Sequence, residues 1–187
     1  MLTEVWELCR KLTNLERRTL LRKVCEARDG LNVSIAHDGN DGLKQSGTSQ
    51  YLGQLWKLGL IRRVRSGKYV NYYADAENAN ALVREVALAL QERFRAEADG
   101  KSYDEGYLPV MRVMGNAMRA RIVGMLAREG HSNREYVCDR LGLDFRTLDR
   151  HLKPAIDMGL VECCEGDTLR LNQPSDIIAQ LIVKAAV

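Results

Sequence analysis

The strongest constraint on this chain is an internal repeat of one short pattern, with the two copies separated by 100 residues. In each copy, leucines at helical spacing lead to Gly-Leu and then directly to a stretch typical of strands and a tight turn. Four pairs of residues keep this offset: Leu43 and Leu143, Leu52 and Leu152, Gly59 and Gly159, Leu60 and Leu160. A chain of 187 residues has room for two small domains, and the repeat predicts two copies of the same one.

A helix that ends at glycine and runs into a hairpin is typical of a helix-turn-helix unit with a β-hairpin wing. We therefore predict a mainly α protein with small β-hairpin wings, of the α+β class, with two tandem winged helix-turn-helix domains joined by a long helix. The predicted boundaries are 1–75 for the N-terminal domain, 76–108 for the long helix and linker, and 109–187 for the C-terminal domain with its closing helix.

Local signals refine this prediction within each repeat. Ser46, Ser132 and Asp144 each precede an apolar periodic stretch, so we expect them to cap helices. Thr48 aligns with Leu148 and is predicted to point inward, as are Leu52, Leu55 and Trp56. A helix predicted over 77–98 carries an apolar stripe broader than a lone surface helix needs, which indicates packing against another domain or subunit.

At the level of motifs, residues 114–171 resemble the ArsR-type winged helix-turn-helix transcriptional regulators. The resemblance lies in Met-Gly-Asn-Ala-Met-Arg-Ala-Arg-Ile-Val at 114–123, in Leu-Gly-Leu-Asp-Phe-Arg-Thr-Leu-Asp-Arg-His-Leu at 141–152, and in Met-Gly-Leu at 158–160. Residues 12–73 look like a second copy. The resemblance implies binding to double-stranded DNA and pairing through the terminal helices. Because two units share one chain, that pairing is either a homodimer or an intrachain pseudo-dimer that also uses helix 77–98.

Charge is concentrated in the first repeat. Residues 1–75 carry 13 Lys and Arg against 8 Asp and Glu, whereas residues 109–187 carry 11 against 10. Short polar side chains on a recognition helix can reach base edges, and cations on a wing can neutralise phosphates. The predicted DNA contacts of the first unit are Gln45, Ser46, Ser49, Gln50, Gln54, Arg62, Arg63, Arg65 and Lys68. The competing interpretation is a solvated helix face beside a charged strand that blocks edge pairing.

The second unit has a weaker case for DNA contact. Its candidates are Arg146, Thr147, Arg150 and Lys153. Asp149 lies among these residues, and the wing carries acidic residues that would repel phosphates. This copy is therefore expected either to touch DNA or to serve in pairing or sensing.

Cysteines raise the question of a thiol-based sensor. Residues 135–139 resemble the metal-binding motif of some ArsR-type proteins, although Tyr136 replaces the first cysteine of that motif. Cys138, Cys163 and Cys164 are the candidate ligands for a soft metal ion. The alternative, that they are ordinary small buried side chains, is the stronger one, and we predict no cofactor.

Several classes of protein are disfavoured by the remaining sequence. No nucleophile with a plausible base and no glycine-rich phosphate loop stands out, so we predict that the chain is not an enzyme. Five scattered cysteines, no secretory pattern and no long apolar run predict a cytoplasmic protein without a membrane span. The alternative function is a protein-interaction module that uses the apolar stripe of helix 77–98, with a vestigial DNA surface.

Overall fold

The computed structural model describes residues 2–27, 29–37, 45–76, 81–98 and 105–187. The chain divides into two compact units, which we name by their place in the sequence. The terminal unit comprises Met1–Thr13 and Glu105–Val187, and the inserted unit comprises Asn14–Asp104. The chain therefore leaves the terminal unit after its first helix and returns to it near residue 105.

The inserted unit contains four helices and three strands in its described residues. They are α2 (Leu15–Glu26), β1 (Leu31–Asn32), α3 (Val33–His37), α4 (Gln45–Lys57), β2 (Arg62–Ser66), β3 (Tyr69–Tyr73) and α5 (Ala81–Ala98). The strands form an antiparallel sheet in the order β1-β3-β2. Gly67 has a φ of +59° at the turn between β2 and β3, a conformation that glycine adopts at low cost.

The terminal unit begins with α1 (Leu2–Leu12) and continues after residue 104. Its other elements are α6 (Tyr107–Met114), α7 (Ala117–Glu129), β4 (His131–Asn133), α8 (Arg134–Leu141), α9 (Phe145–Asp157), β5 (Val161–Cys164), β6 (Thr168–Leu171) and α10 (Ile177–Lys184). The sheet order is β4-β6-β5, again antiparallel. Helix, strand, helix, helix and hairpin thus follow one another identically in both units, and the prediction of a mainly helical α+β chain is confirmed.

The division of the chain differs from the predicted boundaries at its N-terminus. Helix α1 packs on α6 and α7 of the terminal unit, and Val5, Leu8 and Leu12 are buried there. Gly115 lies at this close approach, and a Cβ there would make a tight contact of 3.3 Å with the backbone of Arg10. Periodicity predicts that a helix has an apolar face, but it does not predict which repeat covers that face.

The apolar stripe of α5 has a partner within its own unit. Val83, Val86, Leu90 and Phe94 are buried, and α5 packs against α2. From α2, the guanidinium carbon of Arg22 lies 5.1 Å from the centroid of Phe94, and Arg22 Nη2 lies 2.5 Å from a Glu97 carboxylate oxygen. Residues 77–80 of the predicted helix lie outside the described residues.

Helix caps were predicted with mixed success. Asp144 caps α9 as predicted, with its side chain accepting a hydrogen bond from the Thr147 N–H. Ser132 lies instead in β4, and Asn133 caps α8 by accepting from the Glu135 N–H. The prediction for Ser46 is also wrong, because α4 begins at Gln45 and Ser46 lies within its first turn. Across the described parts of the chain, none of the helices combines the length and apolarity that crossing a bilayer requires.

Candidate nucleic-acid interface

Helix α4 of the inserted unit has one buried face and one polar, exposed face. Thr48, Leu52 and Leu55 are fully buried, and their spacing of four and three residues puts them on one side of the helix. The prediction that Thr48 points inward is therefore confirmed. The first turns of the other side expose Gln45, Ser46, Ser49 and Gln50, while Gln54 is half-buried further along. This helix therefore presents short hydrogen-bonding side chains to solvent near its N-terminus.

The helix before α4 is tied to that polar face. Gln45 Nε2 lies 3.4 Å from Ser34 Oγ of α3, and α3 packs against α4. Ser34 and Ile35 are both exposed on α3, so the two helices present adjoining surfaces to solvent.

Strand alternation separates the cations of the hairpin into two groups. Arg62 pairs with Tyr73 across the sheet, whereas Arg63 pairs with Tyr72, which is buried. Because neighbouring residues of a strand point to opposite faces, Arg62 is separated from Arg63 and Arg65. Arg62 Nε donates to Asp75 Oδ2 at 2.7 Å, and its guanidinium carbon lies 5.0 Å from the Tyr73 centroid. The predicted cluster of four basic residues is thus not one surface.

Arg63 links the hairpin to α4 through an aromatic contact. Its guanidinium carbon lies 4.2 Å from the centroid of Trp56, the shortest such contact among the described residues. Trp56 was predicted to point inward, and this is wrong, since 38% of it is exposed. A guanidinium stacked on indole keeps its charge and its edge donors available to a further partner. The contact therefore holds a cation beside the helix without neutralising it.

The other two cations lie toward the hairpin tip. Arg65 Nε donates to the Gly67 carbonyl oxygen at 3.3 Å, and Lys68 Nζ lies 5.2 Å from the centroid of Tyr69. Arg65, Lys68 and Tyr69 are all exposed. Among the described residues, no carboxylate lies within ion-pair distance of Arg63, Arg65 or Lys68. The positive charge on this part of the inserted unit is left uncompensated by the described part of the chain.

Helix α9 of the terminal unit has the same buried face. Leu148, Leu152 and Ala155 are buried, and Arg146, Arg150 and Lys153 are exposed. Thr147 has a capping role, because both its N–H and its hydroxyl donate to Asp144, each at 2.8 Å. The predicted contact residues of α9 therefore lie on a face that corresponds to the polar face of α4. The Thr147 hydroxyl, however, already donates a hydrogen bond to Asp144 of the same helix end.

Some cations on and near α9 and the hairpin of the terminal unit pair with carboxylates. Arg134 of α8 pairs with Asp149, and Arg170 Nη2 lies 2.6 Å from Glu162 Oε2 across the hairpin. Lys153 Nζ lies 3.8 Å from Asp157 Oδ1, one helical turn further on. The paired side chains of Asp149, Arg170 and Glu162 are about half exposed, so these pairs act more on the local field than on stability.

The three candidate thiols are not brought together. Cys138 is buried in α8, and burial raises the pKa of its thiol, whereas Cys163 is exposed on β5 and Cys164 is half-buried. Within the described ranges, no group of three or more His, Cys, Asp or Glu residues is placed to hold a metal ion. His151 is half-buried on α9, and burial, followed by the nearby charges of Arg150 and Arg119, lowers its pKa.

Sequence reasoning missed the roles of Asp75 and Trp56. The partner of Arg62 was recoverable from strand parity, because Asp75 lies two residues beyond Tyr73 and so has the parity of the Arg62 face. The stacking of Arg63 on Trp56 had no comparable signal in the sequence. A tryptophan next to an apolar Leu55 is typical of a buried position, and nothing near it indicates the contact with Arg63.

Comparisons of the chain with models of protein families, with curated proteins and with solved structures find no significant match. The function is therefore argued from the geometry of α4 and its hairpin.

Proposed function

We propose that this chain is a transcriptional regulator that binds double-stranded DNA, that each repeat is a winged helix-turn-helix unit, and that the inserted unit makes the main contact. The observation that carries this proposal is the placement of Arg63. The guanidinium of Arg63 stacks on Trp56 and has no carboxylate partner among the described residues. It belongs to the hairpin next to a helix whose N-terminal half exposes only short polar side chains.

The chemistry of that surface suits a DNA duplex. The major groove admits an α-helix, and glutamine and serine side chains can hydrogen-bond to base edges and phosphates there. Cations on a neighbouring hairpin neutralise phosphates and fix the register of the helix without reading sequence. In this assignment Gln45, Ser46, Ser49 and Gln50 of α4 face the groove, and Arg63, Arg65 and Lys68 face the backbone.

The terminal unit has an auxiliary role in this proposal. Asp149 lies between Arg146 and Arg150, and Glu162 takes Arg170, so the surface around α9 offers fewer uncompensated cations. Helix α1, which begins the first repeat, packs on α6, which begins the second. That pairing favours an intrachain pseudo-dimer, and light scattering should then give the mass of one chain, 21.1 kDa.

A protein-interaction module is the competing function, but the apolar stripe of α5 now favours it less. The stripe on α5 that would bind a protein partner is buried, with α2 packed against it. Among the large apolar side chains described on α5, Leu88 is the one left exposed.

The proposal is tested by selection from a randomised duplex library, followed by affinity measurements at several salt concentrations. Wild type should enrich a motif and bind it with a steep salt dependence. Arg63→Gln/Arg65→Gln should bind more weakly, and its salt slope should fall by about 2, one for each phosphate that the variant no longer neutralises. Glutamine is chosen because it removes the charge while keeping most of the side chain.

Two control variants make the result specific. Arg62→Gln removes a cation from the same strand but from the face that pairs with Asp75, so its slope should stay near that of wild type. Arg146→Gln/Arg150→Gln should change the slope less than Arg63→Gln/Arg65→Gln. Absence of both enrichment and salt-dependent binding in wild type would overturn the proposal and favour the interaction module.

A further inference from the structure

The exposed residues at the start of α4 and of α9 differ at each corresponding position. The buried faces of the two helices match at an offset of 100 residues, as Thr48 and Leu148 illustrate, and the same offset aligns the exposed faces. The aligned exposed residues are, on α4, Gln45, Ser46, Ser49 and Gln50 and, on α9, Phe145, Arg146, Asp149 and Arg150. Helix α4 thus exposes uncharged hydrogen-bonding groups, whereas α9 exposes a phenyl ring, two guanidinium groups and one carboxylate.

The carboxylate of α9 is engaged by α8. Asp149 Oδ1 accepts a hydrogen bond from Arg134 Nη2. Among the described residues, no carboxylate lies within ion-pair distance of Arg146 or Arg150. These two arginines are four residues apart and therefore lie on the same side of the helix. In the described part of the chain, their guanidinium donors are thus not used in an ion pair.

Phe145 adds an apolar surface at the first residue of α9. It is 52% exposed, and the helix start directly before it is fixed by Asp144, which accepts from the Thr147 N–H at 2.8 Å. The aligned residue of α4 is Gln45, whose Nε2 lies 3.4 Å from Ser34 Oγ. The first turn of α9 therefore offers an aromatic ring where the first turn of α4 offers an amide.

These side chains match different bases. In the major groove, guanine presents two acceptors to the planar fork of an arginine, whereas adenine presents one acceptor and one donor to a glutamine amide. An arginine has no acceptor, so it leaves the donor of adenine unsatisfied. Thymine carries a methyl group that apolar side chains such as phenylalanine contact. The exposed face of α4 is therefore suited to adenine, and that of α9 to guanine and thymine.

We propose that the two repeats read different bases, so that the preferred duplex contains two unlike blocks of sequence. This proposal rests on the proposed function, with both units bound to DNA. In the block bound by α4, Gln50 selects adenine. In the block bound by α9, Arg150 selects guanine, and Phe145 selects thymine through its methyl group.

An exchange of side chains at the aligned positions 50 and 150 tests the proposal. Each variant of the full chain is put through selection from a randomised duplex library. Arg150→Gln should change the preference in one block from guanine to adenine, and Gln50→Arg should change the other block from adenine to guanine. Discrimination at the affected base pair should change by about tenfold or more, as expected for a bidentate contact. Both side chains are exposed, so neither exchange alters the core.

Lys153→Gln is the matched control on α9. Lys153 is exposed about one turn beyond Arg150, and its Nζ lies 3.8 Å from Asp157 Oδ1. The variant removes a charge and should leave the base preferences of both blocks unchanged. A guanine preference that survives in Arg150→Gln, or that is lost equally in Lys153→Gln, would overturn the proposal.

Phe145 is tested by removing a methyl group from the DNA. Deoxyuridine in place of thymidine in the block bound by α9 should weaken binding of wild type by about fourfold, the effect of one buried methyl group. Phe145→Ser should bind the two duplexes equally. Equal binding of the two duplexes by wild type would contradict the assignment of Phe145.

The selections also separate this proposal from the proposed function. If wild type enriches no motif, the proposed function is wrong, and the reading of two unlike blocks is wrong with it. If the motif changes in Gln50→Arg but not in Arg150→Gln, the inserted unit binds DNA as proposed and the reading of guanine by α9 is wrong.

Discussion

The two repeats share a backbone plan and differ in their electrostatics. Both place helix, strand, helix, helix and hairpin in the same order, and both sheets place the first strand beside the last. The hairpin of the inserted unit presents cations that stack on aromatic rings, whereas the hairpin of the terminal unit pairs Arg170 with Glu162. Buried positions specify the fold, and exposed positions are free to take a different charge in each copy.

A second difference lies at α2 and α7, the helices that come directly before the first strand of each sheet. Asn14 caps α2 and Asn116 caps α7 in the same way, each accepting from the N–H three residues on. Aligned by these caps, Arg22 corresponds to Gly124. Arg22 reaches across to Phe94 and Glu97 of α5, whereas Gly124 lets the backbone of Ala186 approach α7 closely. In the inserted unit, the Arg22 side chain thus holds α5 against α2. In the terminal unit, the missing side chain of Gly124 lets the C-terminal segment pack closely on α7.

The largest effect is expected for Gly124→Ala. A Cβ at this position would overlap the carbonyl oxygen of Ala186, so the backbone of Ala186 or of α7 would have to shift. We expect a loss of about 2–3 kcal/mol in the free energy of unfolding of the terminal unit. Urea titration followed by tryptophan fluorescence in a Trp56→Phe background reports on that unit alone, since Trp6 is then the remaining tryptophan.

Gly53→Ala is the matched control for this substitution. Gly53 also lies within a helix, but among the described residues no atom outside the helix's own nearby backbone lies within 4 Å of the position its Cβ would take. Alanine there should stabilise the inserted unit by about 0.5–1 kcal/mol, measured through Trp56 in a Trp6→Phe background. Equal effects of the two substitutions would show that the contact with Ala186 does not matter and that helix propensity alone decides.

A smaller effect is expected at Thr48, which is the polar residue on the buried face that α4 has in common with α9. Thr48 is fully buried and its Oγ1 has no partner among the described residues, whereas its counterpart Leu148 is apolar. Thr48→Val removes the unpaired hydroxyl at nearly constant volume and should stabilise the inserted unit by about 1 kcal/mol. A loss of stability in the same Trp56 titration would mean that the hydroxyl is hydrogen-bonded in solution.

The sequence predicted the repeated elements well because helix and hairpin signals are local. Thr48 was assigned to the interior from its alignment with Leu148, and its burial confirms the repeat at that position. Asp144 was likewise identified as a cap from its place before an apolar stretch. Both features depend on residues within one or two turns of the chain.

The features that failed depend on geometry between elements. Arg62 was grouped with Arg63 because they are neighbours in sequence, although a strand sends them to opposite faces. Trp56 was assigned to the core because it is large and apolar, although the cation of Arg63 covers it from the hairpin. A cleft lined by Cys25, Arg62 and Gln91 combines residues from α2, β2 and α5, a combination that no single stretch of sequence displays.

The smallest effect is expected from the pH dependence of the cap on α9. Asp144 accepts hydrogen bonds from the backbone N–H and from the hydroxyl of Thr147. Both bonds, and the backbone one most strongly, hold the pKa of Asp144 below the ordinary value of an aspartate. Because the folded-state pKa is depressed, the stabilisation is fully present above the unfolded-state pKa. It is lost as the pH falls through the folded-state value.

Asp144→Asn isolates this contribution, since asparagine caps a helix about as well but does not titrate. Between about pH 5 and pH 2.5, the free energy of unfolding of the terminal unit should fall more steeply in wild type than in Asp144→Asn. The measurement follows Trp6 fluorescence in the Trp56→Phe background, so the inserted unit does not contribute tryptophan signal. Parallel pH profiles would contradict the assignment, because the cap would then hold as well with a protonated carboxyl as with a carboxylate.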